Sequence, residues 1–395
     1  MKKINSIKSV HFDHNGAVDR DILKPFDLKN AEKVNKFHQS FKEYKETPLV
    51  SLNGLAKELK LGKIFVKDES YRFGLNAFKV LGGSYAIGKY IAKEFGVNPE
   101  EMTKPEMKER LKDFCFVTAT DGNHGRGIAW TAHELGVKSV IYMPKGSSEE
   151  RLANIKALGA DASICDLNYD DCVRLAKENA EKYGWILVQD TAWPGYEKVP
   201  KWIMQGYTSM AFEALNQLNG LCPTHIFLQA GVGAMSGAIT AFFSSAFENS
   251  KPVITIVEPN NADCIYKTAK ANDGKLHYVT GDLDSIMAGL CCGEPCTIAW
   301  DILKDYADNF VSVPDDITKQ GMRILAKPCY GDTKIVSGES GAVGIGLLAE
   351  LMENENLRSL KEQIGLNENS VVLCFSTEGD TDKESYKEIV SSLSR

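Results

Sequence analysis

A lysine stands between an aromatic and an aliphatic residue in the stretch Asn76-Ala77-Phe78-Lys79-Val80-Leu81-Gly82-Gly83-Ser84. Phe78, Val80 and Leu81 surround Lys79 with apolar surface, and the glycine pair lets other backbone pack closely behind it. Desolvation would lower the pKa of such an amine and favour its condensation with a carbonyl. The competing reading is a helix-face lysine whose stem covers apolar surface. Taken alone, the stretch favours that plainer reading.

Two other clusters carry chemistry-bearing residues. Thr118-Ala119-Thr120-Asp121-Gly122-Asn123-His124-Gly125-Arg126-Gly127 reads as a strand, a Gly/Asn turn and a helix start. Turn chemistry explains Gly122 and Asn123, Asp121 fits a helix N-cap, and a lone His124 is by default a structural hydrogen-bonding histidine. Yet Asp, Asn and His crowded at the carboxyl end of a strand also fit a ligand site. Gln229-Ala230-Gly231-Val232-Gly233-Ala234-Met235-Ser236-Gly237 repeats the pattern with glycines. Unsatisfied N–H groups at such a helix start, with the helix dipole behind them, suit a phosphate. No Lys-Ser/Thr follows, so it is not a nucleoside-triphosphate loop. Gly231-x-Gly233-x-x-x-Gly237 with Glu258 at the end of the next strand also resembles a dinucleotide fingerprint, which would make the protein a nicotinamide-dependent oxidoreductase. The plainer reading of Glu258 is a strand end facing solvent.

The elements that must position these residues alternate along the chain. Short aliphatic runs at 64–66, 114–118, 139–144, 162–165, 185–189, 224–229, 253–257 and 370–375 read as strands. The segments 127–135, 149–158, 169–183, 202–218 and 233–247 read as helices, Gly159 capping the second, and the charged segment 98–113 reads as a solvated helix. Apolar strands without alternation, separated by helices, predict mostly parallel sheets covered on both faces, hence an α/β protein. The chain has 395 residues, of which 43% are hydrophobic and 25% charged, enough to bury a core without metals or disulfides. A net charge of −7 argues against nucleic acid or an anionic membrane as the main partner. No apolar run approaches a membrane span and the amino-terminal lysines lack an apolar stretch behind them, so a cytoplasmic location is expected. The ten cysteines are scattered. Cys291, Cys292 and Cys296 cluster without a second ligand pair at zinc spacing, so no metal site is expected, and the sequence leaves the redox state of Cys264, Cys291 and Cys292 open.

The order of Lys79, the Asp-Gly-Asn-His loop and the Gly-rich helix start is more specific than any one of them. Together they resemble the pyridoxal-phosphate enzymes of fold type II, the tryptophan synthase β-like group that includes serine and threonine dehydratases. The resemblance runs from Thr47-Pro48-Leu49 to the last strand. The wording TDGNHGRGIAW, QDTAW (Gln189 to Trp193), QAGVGAMSG and CFSTEGDTD (Cys374 to Asp382) further resembles the diaminopropionate ammonia-lyase family; other fold type II enzymes commonly have serine where this chain has Asp121.

The resemblance implies a Schiff base between Lys79 and pyridoxal 5'-phosphate, with Phe78 beside it. It implies that Asn123 bonds the ring hydroxyl and that Gly231, Val232, Gly233, Ala234 and Met235 wrap the phosphate. Ser376 or Thr377 would face the pyridine nitrogen, with Glu378 and Asp380 close by. Substrate would lie against Thr120, Asp121, Gly122, His124 and Asp190. Lys79 would take the α-proton from one face and Asp121 from the other, so both D and L isomers of 2,3-diaminopropionate would yield pyruvate and two ammonia through aminoacrylate. Asp190 would hold the distal ammonium by charge or else cap the next turn. The resemblance also implies a large cofactor-anchoring domain from 1–88 and 195–395, a small closing domain from 89–194, and a homodimer. A serine or threonine dehydratase of the same fold is the rival activity.

Overall fold

The structure, a computed structural model, describes residues 7–14, 18–120, 122–248, 250–329 and 331–392. Among them are eleven strands: β1 (Lys8–His11), β2 (Leu49–Ser51), β3 (Lys63–Asp68), β4 (Cys115–Ala119), β5 (Lys138–Met143), β6 (Asp161–Ile164), β7 (Ile186–Leu187), β8 (His225–Gln229), β9 (Val253–Pro259), β10 (Asn309–Val313) and β11 (Val371–Ser376). They form a seven-stranded sheet in the order β1-β10-β9-β8-β11-β3-β2 and a four-stranded sheet in the order β6-β5-β4-β7. All pairings are parallel except those of β1 with β10 and β2 with β3, which place antiparallel strands on both edges of the larger sheet.

The central strands are apolar throughout because both of their faces are covered. Ile226 and Leu228 of β8 enter one core while Phe227 between them enters another; in β11, Leu373 and Phe375 likewise oppose Val372 and Cys374. The mostly parallel α/β architecture expected from the sequence is therefore the one observed. Helix Val80–Phe95 packs on helix Lys198–Gln217 through glycines. A Cβ on Gly206 would lie 2.4 Å from the Leu81 carbonyl oxygen, and one on Gly82 would lie 2.6 Å from the Tyr207 ring. This contact fixes the helix that Lys79 starts.

The loop before Lys79 is held by charge. Arg72 has no exposed surface; it bonds Glu69 Oε2 at 2.8 Å through Nε and Glu213 Oε2 at 2.7 Å through Nη2. Lys67 Nζ, at the end of β3, reaches Glu213 at 2.7 Å and the Thr47 carbonyl at 2.7 Å. Tyr44 and Thr47 donate hydroxyls to Glu213 and Glu69. Burial alone would raise the Glu213 carboxyl, but Arg72, and after it Lys67, bring it down to about 2. Two cations and two anions thus neutralise one another in the interior.

Three expectations need correction. The segment 98–113 is not one solvated helix: a single turn Pro99–Glu101 precedes helix Pro105–Leu111, and Met102, Met107 and Leu111 are buried. The strand expected over 185–189 shrinks to β7, because the Gln189 side chain takes over the pairing. Its Oε1 accepts from the Ala119 N–H at 2.8 Å and its Nε2 donates to the Ala119 carbonyl at 3.0 Å. The edge strands β1 and β2 and the interior strand β10 were absent from the sequence reading.

Removing one member of the buried charge group should be costly. Glu213→Ala is expected to lower the unfolding free energy by about 3–5 kcal/mol by stranding Arg72 and Lys67. It would be read as a lower denaturant midpoint at unchanged slope; an unchanged midpoint would show that the group does not support the fold.

Candidate active site

A cavity of about 350 Å³ opens at the carboxyl ends of strands from both sheets. The segments that follow β3, β4, β5, β8 and β11 all contribute to its wall, the usual place for a ligand in a parallel α/β protein.

Lys79 caps the amino end of helix Val80–Phe95, with its side chain 17% exposed, on the cavity wall. Its Nζ lies 2.5 Å from Asp190 Oδ2. Asp190 follows β7 in the smaller sheet, so this ion pair joins the two sheet units. Tyr169 donates its hydroxyl to Asp190 Oδ1 at 3.0 Å, and Gln189 Nε2 donates to the same oxygen at 3.2 Å. Burial would push the Asp190 carboxyl up; Lys79 first, then His124, outweigh it and hold the group well below the usual carboxylate range. Burial, with Asp190 next, pushes the Tyr169 phenol far up, so it stays a donor. Lys79, Tyr169 and Gln189 thus share the two oxygens of Asp190.

Residues Gly231–Ser236 form the cavity wall where β8 gives way to helix Ala234–Ala246. Gly233 has φ +92, the left-handed region that glycine enters without strain, and this turn sets the helix start against the cavity. The first N–H groups of the helix have no intrahelical acceptor. A Cβ on Gly231 would meet Cys292 Sγ at 3.1 Å and the Gly289 carbonyl at 3.2 Å, so a side chain there would crowd the wall. Phe78 packs on Tyr207 with ring centroids 4.8 Å apart, and its N–H donates to the Thr377 carbonyl at 3.0 Å.

Thr377 lines the cavity, its Oγ1 accepting from Gln229 Nε2 at 2.9 Å. Ser376 turns the other way and bonds Ser337 Oγ at 2.8 Å. Of the two hydroxyls between which the sequence left the choice open, that of Thr377 is on the cavity wall and that of Ser376 is not. Asn123 lines the cavity and donates through Nδ2 to Glu378 Oε2 at 2.5 Å. Thr120 also lines it and accepts the Gly122 N–H at 2.9 Å. Gly122 and His124 lie behind this wall. His124 Nε2 is 2.7 Å from the Val188 carbonyl, the structural role expected of it, and Nδ1 is 3.9 Å from Asp190. Asp121 lies outside the described residues.

Glu258 is neither a ribose ligand nor a solvent-facing strand end. It is fully buried, and its two oxygens accept the N–H groups of Ile265 and Tyr266 at 2.9 and 2.6 Å. It serves the start of helix Cys264–Ala271, and the dinucleotide reading loses its acidic residue. Sequence reasoning missed Tyr169 and Glu339, both on the cavity wall. Each stands in an ordinary context, a first helical turn and a Ser/Gly-rich loop, with no local signal to mark it.

An amine in a shielded pocket, a helix start for an anion, an amide and a hydroxyl on one wall together fit pyridoxal phosphate. The family model of pyridoxal-phosphate dependent enzymes matches residues 41–373. The diaminopropionate ammonia-lyase of Salmonella typhimurium is 51% identical over 369 residues, covering 91% of each chain. That of Escherichia coli K12 is 47% identical over 368 residues, covering 92% of each. A crystal structure of the E. coli enzyme in complex with an aminoacrylate-PLP azomethine reaction intermediate has a TM-score of 0.90 at 45% identity, covering 98% of this chain and 97% of that one. A tomato threonine deaminase, 17% identical with a TM-score of 0.73, shares the fold.

The two hydroxyls make a direct comparison. Thr377→Val is expected to weaken pyridoxal-phosphate affinity about tenfold, the cost of one lost hydrogen bond in a buried site. Ser376→Ala should leave affinity within about twofold, because its hydroxyl bonds Ser337 instead. Titrating cofactor into apoenzyme by absorbance measures both, and the reverse ranking would exchange their roles.

Proposed function

The chain belongs to the diaminopropionate ammonia-lyases, within the pyridoxal-phosphate dependent enzymes, and from that membership we propose that it converts 2,3-diaminopropionate and water to pyruvate and two ammonia. The observation that carries this reading is the Lys79 amine, paired with Asp190 in the cavity that the start of helix Ala234–Ala246 also lines.

When bound, pyridoxal phosphate supplies an electron sink for the α-carbon. The N–H groups of Gly231, Val232, Gly233, Ala234 and Met235 would hold its phosphate, Asn123 its ring hydroxyl and Thr377 its pyridine nitrogen. Phe78 flanks the site and Lys79 would join the aldehyde carbon. Thr377 offers a neutral hydroxyl and does not force a proton onto the ring nitrogen. Elimination tolerates that milder sink because the β-leaving group carries the electrons away.

Lys79 takes the α-proton from one face. The β-nitrogen, carried as an ammonium, departs as neutral ammonia and needs no further proton. Asp190, with Tyr169 and Gln189 behind it, is the positioning residue that orients the lysine amine. Asp121 takes the α-proton of the other isomer; this role rests on its place in the Thr120-Asp121-Gly122-Asn123 stretch. Thr120 would lie against the substrate beside Asp121, with Gly122 and His124 supporting the loop. Closure of 89–194 onto a larger unit built from 1–88 and 195–395 would exclude water before elimination. We propose a homodimer, as the resemblance implies, and a cytoplasmic location, which sedimentation equilibrium and localisation would test. Among the described residues no helix is long and apolar enough to cross a membrane.

The deciding experiment is release of pyruvate and ammonia from D- and L-2,3-diaminopropionate, with serine and threonine as controls. Release from serine or threonine alone would favour a dehydratase. Lys79→Ala is expected to abolish the visible absorbance of lysine-bound cofactor and all turnover; an intact spectrum would remove Lys79 from its role. Asp121→Asn should cut turnover of the D isomer on the order of a hundredfold, the range for losing a general base, and that of the L isomer far less. Equal losses on both isomers would end the division of faces.

A further inference from the structure

The mechanism leaves five acidic side chains on the cavity wall unused, Asp282, Asp284, Glu339, Glu378 and Asp382, of which Glu339 and Glu378 are buried. Glu378 is satisfied: Oε2 accepts from Asn123 Nδ2 at 2.5 Å and Oε1 from the Ser340 N–H at 3.0 Å. Glu339 is not. It is 3% exposed, and its Oε1 accepts from Ser385 Oγ at 2.6 Å. Its Oε2 has no hydrogen-bond partner among the described residues. Burial, and next the neighbouring Glu378, push its carboxyl up, against the opposing effects of the Ser385 hydroxyl, its own backbone N–H and Arg151, whose Nη2 donates to Thr381 Oγ1.

A buried carboxylate oxygen with no donor is destabilising. Such a group in a native protein calls for an explanation, and a partner brought by a ligand is one. The guest that two adjacent carboxylates ask for is a cation. A 2,3-diamino acid brings two amines, of which one is consumed in joining the cofactor. The other, on the β-carbon, needs a counter-charge. Asp190 cannot supply it freely, since Lys79, Tyr169 and Gln189 occupy its oxygens. The cofactor's ring nitrogen, facing Thr377, does not require it.

We propose that Glu339, with Glu378 beside it, is the specificity-determining residue that binds the distal ammonium of a 2,3-diamino acid. The assignment rests on the lyase reading above. Serine, with a neutral hydroxyl at the same position, leaves the Glu339 charge unmatched, and the site discriminates against it for that reason.

The test compares wild-type holoenzyme with Glu339→Gln, using 2,3-diaminopropionate and, as a probe without a distal charge, D-serine, with which the E. coli relative has been crystallised. KM for diaminopropionate is expected to rise roughly thirtyfold, as for truncating one side of a buried charge pair. D-serine affinity, read from the change in cofactor absorbance, should stay within about twofold. Glu339→Asp keeps the charge but shortens its reach, so it should show the same selectivity at smaller amplitude; it carries the test if Glu339→Gln does not fold. Equal weakening toward both ligands, no weakening, or a shifted absorbance in the ligand-free variant would overturn the proposal, the last by assigning the carboxylate to the cofactor. A wild-type enzyme that releases no pyruvate from diaminopropionate would instead sink the lyase reading itself.

Discussion

Arg72, enclosed between Glu69 and Glu213 with Lys67 on the far side, is the interaction on which the placement of the chemistry depends. The loop it anchors leads from β3 to Lys79. A hydrophobic plug of equal volume would stabilise the fold as well or better. It would not orient the loop in the same way, because a guanidinium fork accepts its carboxylates in few geometries. The group ties β3 and this loop to helix Lys198–Gln217, which also meets the next helix through Gly82 and Gly206. Charge and close backbone packing therefore constrain the two sides of Lys79 independently.

The lysine then links the two sheets. It arrives from the larger one, while Asp190 arrives from the smaller, held by Tyr169 and by the glutamine that replaces the end of β7. The same pair of oxygens thus orients the amine and bridges the two structural units. Asn123 and Glu378 make a second bridge, from the helix after β4 to the segment after β11. Any motion of the smaller unit must loosen or tighten both contacts, so the geometry around the amine is sensitive to how the units sit together.

Much of this was legible in the residues. The unbroken apolar strands announced buried parallel sheet, and Ile226, Phe227 and Leu228 show why: neighbours on one strand serve different cores. The Gly-rich helix start was legible because glycine is demanded by backbone conformation and crowding, both local properties. The edge strands were not, because three or four residues such as Lys8–His11 acquire their strand character only from a partner, here β10, far along the chain. Ser376 and Thr377 were indistinguishable because one ends β11 and the other follows it, and neighbours along extended chain point opposite ways, so only the folded placement decides which one meets the cavity. Tyr169 and Glu339 were invisible for a similar reason: their importance lies in what distant segments place beside them.

Three buried carboxylates show how environment divides one functional group into separate tasks. Glu258 spends both oxygens on backbone N–H groups and has nothing left for a ligand, so it is a structural cap. Asp190 meets a cation and is held ionised despite burial, which makes it a partner for a reactive amine. Glu339 meets one hydroxyl and a like charge, and its second oxygen meets no donor among the described residues. Burial costs all three the same kind of free energy; Lys79 and His124 outweigh it at Asp190, while it pushes the carboxyls of Glu258 and Glu339 up. Glu339 differs from Glu258 in lining the cavity, and a positively charged substrate end is the guest whose chemistry matches its unpartnered oxygen.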